Sequence, residues 1–292
     1  MALIRSSPCK VNLLLNILGR RPDGFHDLET LFYPVPLCDE LTFETAAEPG
    51  IRFTCDHPEL PTDRSNLVVR AAERFVEESR LSGQGVRIHL VKRVPLAAGL
   101  GGGSSNAART LTGLNDLLGC PLPPEALDRI AATLGSDVNF FLQDRPARAT
   151  GRGERVEPME ACGSLKGCGL SLYHPGFGIS TAWAYRELAR YPEALNGRPG
   201  RVETLERALR SGDLAEAGRH FYNSLEAPAL HKYPVLGLYQ SFFREHGAWA
   251  SLMSGSGSTT FALFPDETTA RSAVSPFEAR FGTAGWMQVV RL

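Results

Sequence analysis

Three stretches of the chain combine residue types and spacings suited to phosphate chemistry: the strand-like run around Lys10, the glycine-rich run Pro95–Ala108, and the turn around Asp137. In PLAAGLGGGSSNAA, Gly99, Gly101, Gly102 and Gly103 let backbone N–H groups converge without Cβ hindrance. A helix beginning at the serines adds the positive end of its dipole. Together they make an anion site, and phosphate is its usual guest. No Lys follows Gly103, so this is not a Walker A loop, and Ser104 stands at the third glycine of the dinucleotide fingerprint. The competing reading is a flexible hinge or a close strand–helix contact.

Lys10 and Asn12 lie two apart in an otherwise apolar strand, so both point to one side while Cys9, Val11 and Leu13 point to the other. An inward lysine is costly without an anionic partner, and Asp137 in LGSDVNFF is the best candidate. Equally, Lys10 reads as a solubility lysine on an edge strand, and Asp137 as a cap for the turn after Gly135, beside Ser136.

Alternating strands and helices must position these residues. Val86–Val94 places Val86, Ile88 and Leu90 on one strand face, with Pro95 as its stop. The helix after the glycines carries Ala107, Leu111, Leu114 and Leu118 on one stripe, with Ser104 or Ser105 as N-cap. A second helix runs from Pro124 to Leu134 and stops at Gly135. GRGERVEP, Gly151–Pro158, reads as a domain junction. Beyond it come the strand CGLSLYH, a helix from Ser180–Thr181, helices Glu203–Arg210 and Leu214–Leu225, and the hairpin WASLM/TTFALF. Helix Glu267–Phe281 and strand WMQVVRL close the chain. Without the inserted helices this order is β-α-β-β-α-β, the split pattern of a ferredoxin-like domain. The class is α+β with two domains, 1–155 and 156–292.

Composition agrees. With 43% apolar and 22% charged residues, a chain of 292 residues buries a core of its own. A net charge of -1 and a pI near 6.7 give no basic excess for nucleic acid. No apolar run spans a bilayer, and the N-terminus reads as a first strand rather than a signal peptide. Cys9, Cys38, Cys55, Cys120, Cys162 and Cys168 form no CxxC pair, and the histidines form no HExxH group. Reduced thiols in the cytoplasm are therefore expected, with no protein-held metal site. Oligomeric state is not legible.

PLAAGLGGGSSNAA resembles the phosphate motif of the GHMP superfamily, which comprises galactokinase, homoserine kinase, mevalonate kinase and phosphomevalonate kinase. The resemblance covers essentially the whole chain, through CKVNLLLNILGRRPDGFHDLETLF (Cys9–Phe32), LGSDVNFFL (Leu134–Leu142), GRGERVEP, HPGFGISTAWAY (His174–Tyr185) and MSGSGSTTFALF (Met253–Phe264). The triple glycine followed by SSNAA is similar to the cytidyl-methylerythritol branch in particular. This likeness implies a ribosomal protein S5 domain 2-like N-terminal domain and a ferredoxin-like C-terminal one. It makes Lys10 and Asp137 the catalytic pair. ATP binding falls to Pro95, Leu96, Ala97, Ala98, Gly99, Leu100, Gly101, Gly102, Gly103, Ser104 and Ser105. Asn12, Phe25 and His26 contact substrate, the last two at its cytosine, and SGSGS (Ser254–Ser258) lines the cleft unless it is a plain hairpin turn. ATP is the co-substrate and brings Mg2+, whose ligands stay unnamed; Ser104 and Ser105 are candidates beside their capping role. Phe25 departs from the usual Tyr, Asn139 from Pro and Cys9 from Ala.

The implied reaction moves the γ-phosphoryl group of ATP to the 2-hydroxyl of a diphosphocytidyl-methylerythritol in non-mevalonate isoprenoid synthesis. One alternative keeps the fold and changes the alcohol to homoserine, mevalonate or a sugar; DGFH together with Lys10 argues against it. Another is a non-catalytic nucleotide sensor, which predicts loss of Lys10 or Asp137, and both are present.

Overall fold

A computed structural model describes residues 2–81, 83–159 and 163–292. Cys162 lies outside them. In chain order the elements are β1 (Leu3–Arg20), β2 (His26–Ala46), β3 (Gly50–Cys55), α1 (Leu67–Ser79), β4 (Gly85–Val91), α2 (Gly102–Leu117), α3 (Pro124–Leu134), β5 (Ala147–Gly151), β6 (Arg155–Pro158) and β7 (Gly169–His174). There follow α4 (Thr181–Glu187), α5 (Pro192–Leu195), α6 (Arg201–Ser211), α7 (Leu214–Arg219), β8 (Tyr222–Asn223), α8 (Glu226–Lys232), α9 (Val235–Glu245), β9 (Ala250–Met253), β10 (Thr260–Phe264), α10 (Glu267–Ser272), α11 (Val274–Phe281) and β11 (Trp286–Arg291).

Contacts divide the chain into two compact units that interleave in sequence. The first takes the chain up to Cys9, Leu37–Val94 and Gly101–Asp144; the second takes Lys10–Pro36, Pro95–Leu100 and Arg145–Leu292. The long strands β1 and β2 therefore give residues to both.

In the first unit β3 runs parallel to β4, and β4 antiparallel to the far part of β2. Val86, Ile88 and Leu90 are buried, as their alternation predicts. The strand stops at Val91, short of the expected Val94. The reason is local: the N–H of Lys92 donates to Asp56, and those of Arg93 and Val94 donate to the Asp39 carboxylate, leaving none for a ladder. Helices α1, α2 and α3 pack together. α3 has the predicted bounds, with Pro123 and Pro124 at its start and Gly135 at its end.

The second unit contains two sets of strands. The near part of β2 pairs with β5, β5 with β6, and β1 in parallel with β8. GRGERVEP, the stretch read as a domain junction, forms the turn and second strand of the β5–β6 hairpin. The other set is a four-stranded sheet in the order β11-β7-β10-β9, antiparallel throughout, which is the expected split β-α-β-β-α-β arrangement. An aromatic cluster of Tyr173, Tyr239, Phe242, Phe243 and Phe277 fills its core.

Two predicted helices are shorter than expected. Leu214–Leu225 ends at Arg219, because Tyr222 and Asn223 are drawn into pairing with Leu14 and Leu15 of β1. Glu267–Phe281 breaks at Ala273; Pro276 has no N–H for the carbonyl of Ser272 and its ring would crowd it. Among the described residues no helix is long and apolar enough to cross a membrane.

Candidate active site

In the second unit, β1 presents Lys10 with only 2% of its surface exposed. That excludes a solubility role. Its ammonium donates to Asn12 Oδ1 at 2.6 Å and to the Gly99 carbonyl at 3.1 Å, and it sits 5.4 Å from the centre of the Phe32 ring. Asn12 is oriented in turn. Its Nδ2 donates to Thr30 Oγ1 at 2.8 Å, and that hydroxyl donates to the carbonyl of Leu14. The backbone N–H of Lys10 donates to Leu100 O at 2.9 Å, which ties the strand to the glycine-rich run.

The Pro95–Leu100 part of that run lies against the SGSGS turn. Ser254 Oγ donates to Gly99 O at 3.0 Å, and Thr259 N donates to Ala98 O at 3.2 Å. Gly99, at φ +76°, has no room for a side chain: a Cβ there would lie 2.1 Å from Ser254 O. SGSGS is thus both a hairpin connection, between Met253 and Thr260, and a wall for the loop.

The first unit holds the rest of the run. Gly101, in the left-handed region at φ +71°, is the N-cap of α2 and makes no side-chain cap bond. Neither serine caps the helix, contrary to expectation. Ser105 is fully buried, and its Oγ accepts from the Ser7 hydroxyl at 2.8 Å. Ser104 is half-exposed and Gly103 exposed at the helix start. The first-turn amides of any helix lack intrahelical acceptors, and here no side chain covers them from the cap position. Behind the loop, Lys92 and Asp39 form a buried ion pair at 2.6 Å. Lys92 also donates to the Val94 carbonyl. A Cβ on Gly102 would come within 3.2 Å of Lys92 Nζ and Val94 Cγ1, so this glycine serves packing.

Asp137 is half-exposed in the turn after α3, where Val138 N donates to Gly135 O. Asn139, the departure from the family pattern, opens the next short helix and donates from Nδ2 to the carbonyl and the carboxylate of Asp128 in α3. Cys9 is buried in β1.

Phe25 and His26 follow the β1–β2 turn. Phe25 is 52% exposed, with the Arg152 guanidinium 4.8 Å from the centre of its ring. The turn is fixed by Arg21, which bridges Asp23 and Asp27, and by the Phe25 N–H donating to Asp23. The His26 ring lies 5.0 Å from that of Tyr185. Burial, with a smaller effect of Arg20, pulls the imidazole below its ordinary range, so it is neutral at pH 7 with one donor and one acceptor nitrogen.

The structure therefore brings Lys10, Asn12, Gly99 and Ser254 together in one unit, while Asp137 and the α2 start belong to the other. Sequence reasoning missed several supports. Asn16 Nδ2 donates to Glu29, whose carboxylate accepts from the N–H groups of Gly200 and Arg201 at the start of α6. A carboxylate inside the apolar run of β2 was the available signal, by the same logic that singled out Lys10. Among the described residues no group of three His, Cys, Asp or Glu side chains stands ready for a metal.

The GHMP kinases N terminal domain family matches residues 66–145, and the GHMP kinases C terminal family matches residues 205–283. A 4-diphosphocytidyl-2-C-methyl-D-erythritol kinase from a Geobacter species is 40% identical over 282 residues, covering 96% of this chain and 95% of the relative. One from a Synechococcus species is 41% identical, covering 87% and 82%. A crystal structure of a 4-(cytidine 5'-diphospho)-2C-methyl-D-erythritol kinase superposes with TM-score 0.81 at 37% identity, covering 99% of this chain and 100% of the other. Homoserine kinase from Cytophaga hutchinsonii, with TM-score 0.72 at 19% identity and coverage of 99% and 93%, shares the fold.

Proposed function

The chain belongs to the GHMP kinases, in their 4-diphosphocytidyl-2-C-methyl-D-erythritol kinase branch, and on that premise we propose how its residues divide the work of phosphoryl transfer. It is an ATP-dependent kinase of that substrate in isoprenoid synthesis. The acceptor is the 2-hydroxyl and the route is the non-mevalonate one. Asp137 receives the proton of this hydroxyl as its oxygen attacks the γ-phosphorus. The bond from that phosphorus to the β–γ bridging oxygen breaks, and ADP leaves with its electron pair. Lys10 stabilises the negative charge on the transferring group. Pro95–Ser105 cradle the phosphates, with the α2 amides facing the anion. Asn12 orients Lys10 on the substrate side, and Phe25 and His26 hold the cytosine by stacking and by an edge hydrogen bond.

The observation that carries this reading is the buried Lys10 ammonium against the Gly99 carbonyl. A cation is kept out of water at the bend of an anion loop, where its field is least screened. The hydroxyl of Ser104, a hard oxygen that does not cap α2, would suit Mg2+, and the ion would supply charge neutralisation on the ATP phosphates. The family matches fall on either side of residue 155, which favours a division of the sequence into 1–155 and 156–292, although Lys10–Pro36 and Pro95–Leu100 group with the second contact unit. Free thiols at Cys38, Cys55, Cys120 and Cys168 support a cytoplasmic location.

The test is ADP release from ATP and Mg2+ with a panel of alcohols. Release with the cytidylyl substrate and not with methylerythritol 4-phosphate, homoserine or mevalonate is expected. Faster release with any of the other three would overturn the substrate assignment.

A further inference from the structure

β8 is only two residues long, yet it joins two parts of the candidate site. Its backbone lies parallel to Leu14 and Leu15 of β1, the strand that carries Lys10. Ser224 extends the attachment: its N–H donates to Leu15 O at 2.8 Å, and its Oγ accepts from Ile17 N at 3.0 Å. The Asn223 side chain reaches the other way. Its Nδ2 donates to the carbonyls of Met253 at 2.7 Å and Gly255 at 2.8 Å, while Oδ1 accepts from Leu225 N at 2.9 Å. From this geometry we infer that Asn223 is a positioning residue for phosphoryl transfer, holding the SGSGS turn at a fixed distance from the strand of Lys10.

Both amide N–H groups of Asn223 are directed at carbonyls two residues apart, so the pair fixes the backbone between them. The group is buried, and removing it leaves two carbonyls without their donor. The other side of the turn has no slack. Gly99 O accepts from both Ser254 Oγ and Lys10 Nζ. A Cβ on Gly255 would lie 3.2 Å from Lys10 Nζ and 3.1 Å from Gly99 O. A displaced turn therefore carries Gly99 and Lys10 with it. Glu226, in the same short segment, makes a second hold: its Oε1 accepts from Met253 N at 2.7 Å and from Gln240 Nε2 at 2.6 Å.

The inference rests on the reading of Lys10 and the glycine-rich run as the transfer site, so its test carries a control for that reading. Full-length Asn223→Ala, Asn223→Ser and Lys10→Met are compared with the parent by thermal midpoint, kcat, and KM for ATP and for the cytidylyl substrate. Asn223→Ala is expected to fold and to lose about ten- to a hundredfold in kcat, since a misplacement near 1 Å is enough for that. KM for the cytidylyl substrate should stay within about threefold, because recognition of the base draws on other residues. Asn223→Ser, which keeps one donor for one carbonyl, should fall between. A lowered midpoint with parental kcat gives Asn223 a packing role and overturns the inference, as does failure of both variants to fold. Parental activity in Lys10→Met would show instead that the site reading itself is wrong.

Discussion

At the Lys10 end of the second unit the polar groups are buried and already engaged: Lys10 with Asn12 and Gly99, Asn12 with Thr30, Ser254 with Gly99. At the Phe25 end an aromatic ring stands half in water with a guanidinium over its face. The first region is assembled before any ligand arrives. The second offers apolar surface and a neutral imidazole that a ligand must complete. Transition-state stabilisation requires groups that do not reorganise during reaction, so burial and saturation suit the first region. Recognition gains from covering exposed aromatic surface, so openness suits the second.

The comparison breaks most sharply at Asp137. Asp137→Asn is expected to keep fold and ATP affinity and to lose on the order of 10² to 10⁴ in turnover. Near-parental turnover would remove Asp137 from the chemistry. Next comes the phosphate loop, where the choice of glycine matters. Gly99 and Gly102 are packed against protein, so replacing either confounds folding with binding. Gly103 has only Leu67 Cδ1 at 3.8 Å from an added Cβ. Gly103→Val should therefore fold normally and weaken ATP roughly ten- to a hundredfold, the loss of about one charge-assisted hydrogen bond. Unchanged affinity by calorimetry would move the phosphate site elsewhere.

At the open end, Phe25→Ala should lose about 1 to 3 kcal/mol of base stacking, read as a raised KM for the cytidylyl substrate at constant ATP affinity. Phe25→Tyr should be near neutral, and His26→Ala should raise the same KM. Indifference to Phe25→Ala would leave the kinase intact and defeat the cytosine contact. The smallest effect on turnover belongs to Glu226. Burial raises its carboxyl to about 7 against the opposing pull of the Met253 and Gln240 hydrogen bonds and of Arg244. The fold thus favours its neutral form. Its contribution to stability is full below the ordinary carboxyl value of 4.5 and is lost as pH rises through about 7. The loss is on the order of 3 kcal/mol. Glu226→Gln, which keeps an acceptor oxygen, should flatten the change in urea midpoint between about pH 5 and about pH 8. Parallel pH profiles for parent and variant would sink the assignment.

What the sequence made legible was local. Proline and glycine bounded α3 correctly, alternation found the buried face of β4, and an inward lysine in an apolar strand proved to be buried. The failures came where a distant partner outbid a local preference. Ser105 reads as a cap, yet its oxygen serves Ser7; Tyr222 and Asn223 read as helix, yet pair with β1. Asn16, Asn223 and Glu226 carried no signal, because each acquires meaning only from residues far along the chain.

That same remoteness governs the order in which the protein is made. Asn16 waits for Arg198, Ile17 for Ser224, and the Gly99 carbonyl for Ser254. A ribosome adding about 5 to 20 residues per second holds β1 outside its exit for on the order of ten seconds or more before those partners emerge. Through that interval the Asn16 amide has no Arg198 carbonyl to bond and is satisfied by water or by Glu29. A nascent chain halted before residue 223 lacks both the Asn223 amide and the turn whose Met253 and Gly255 carbonyls it holds.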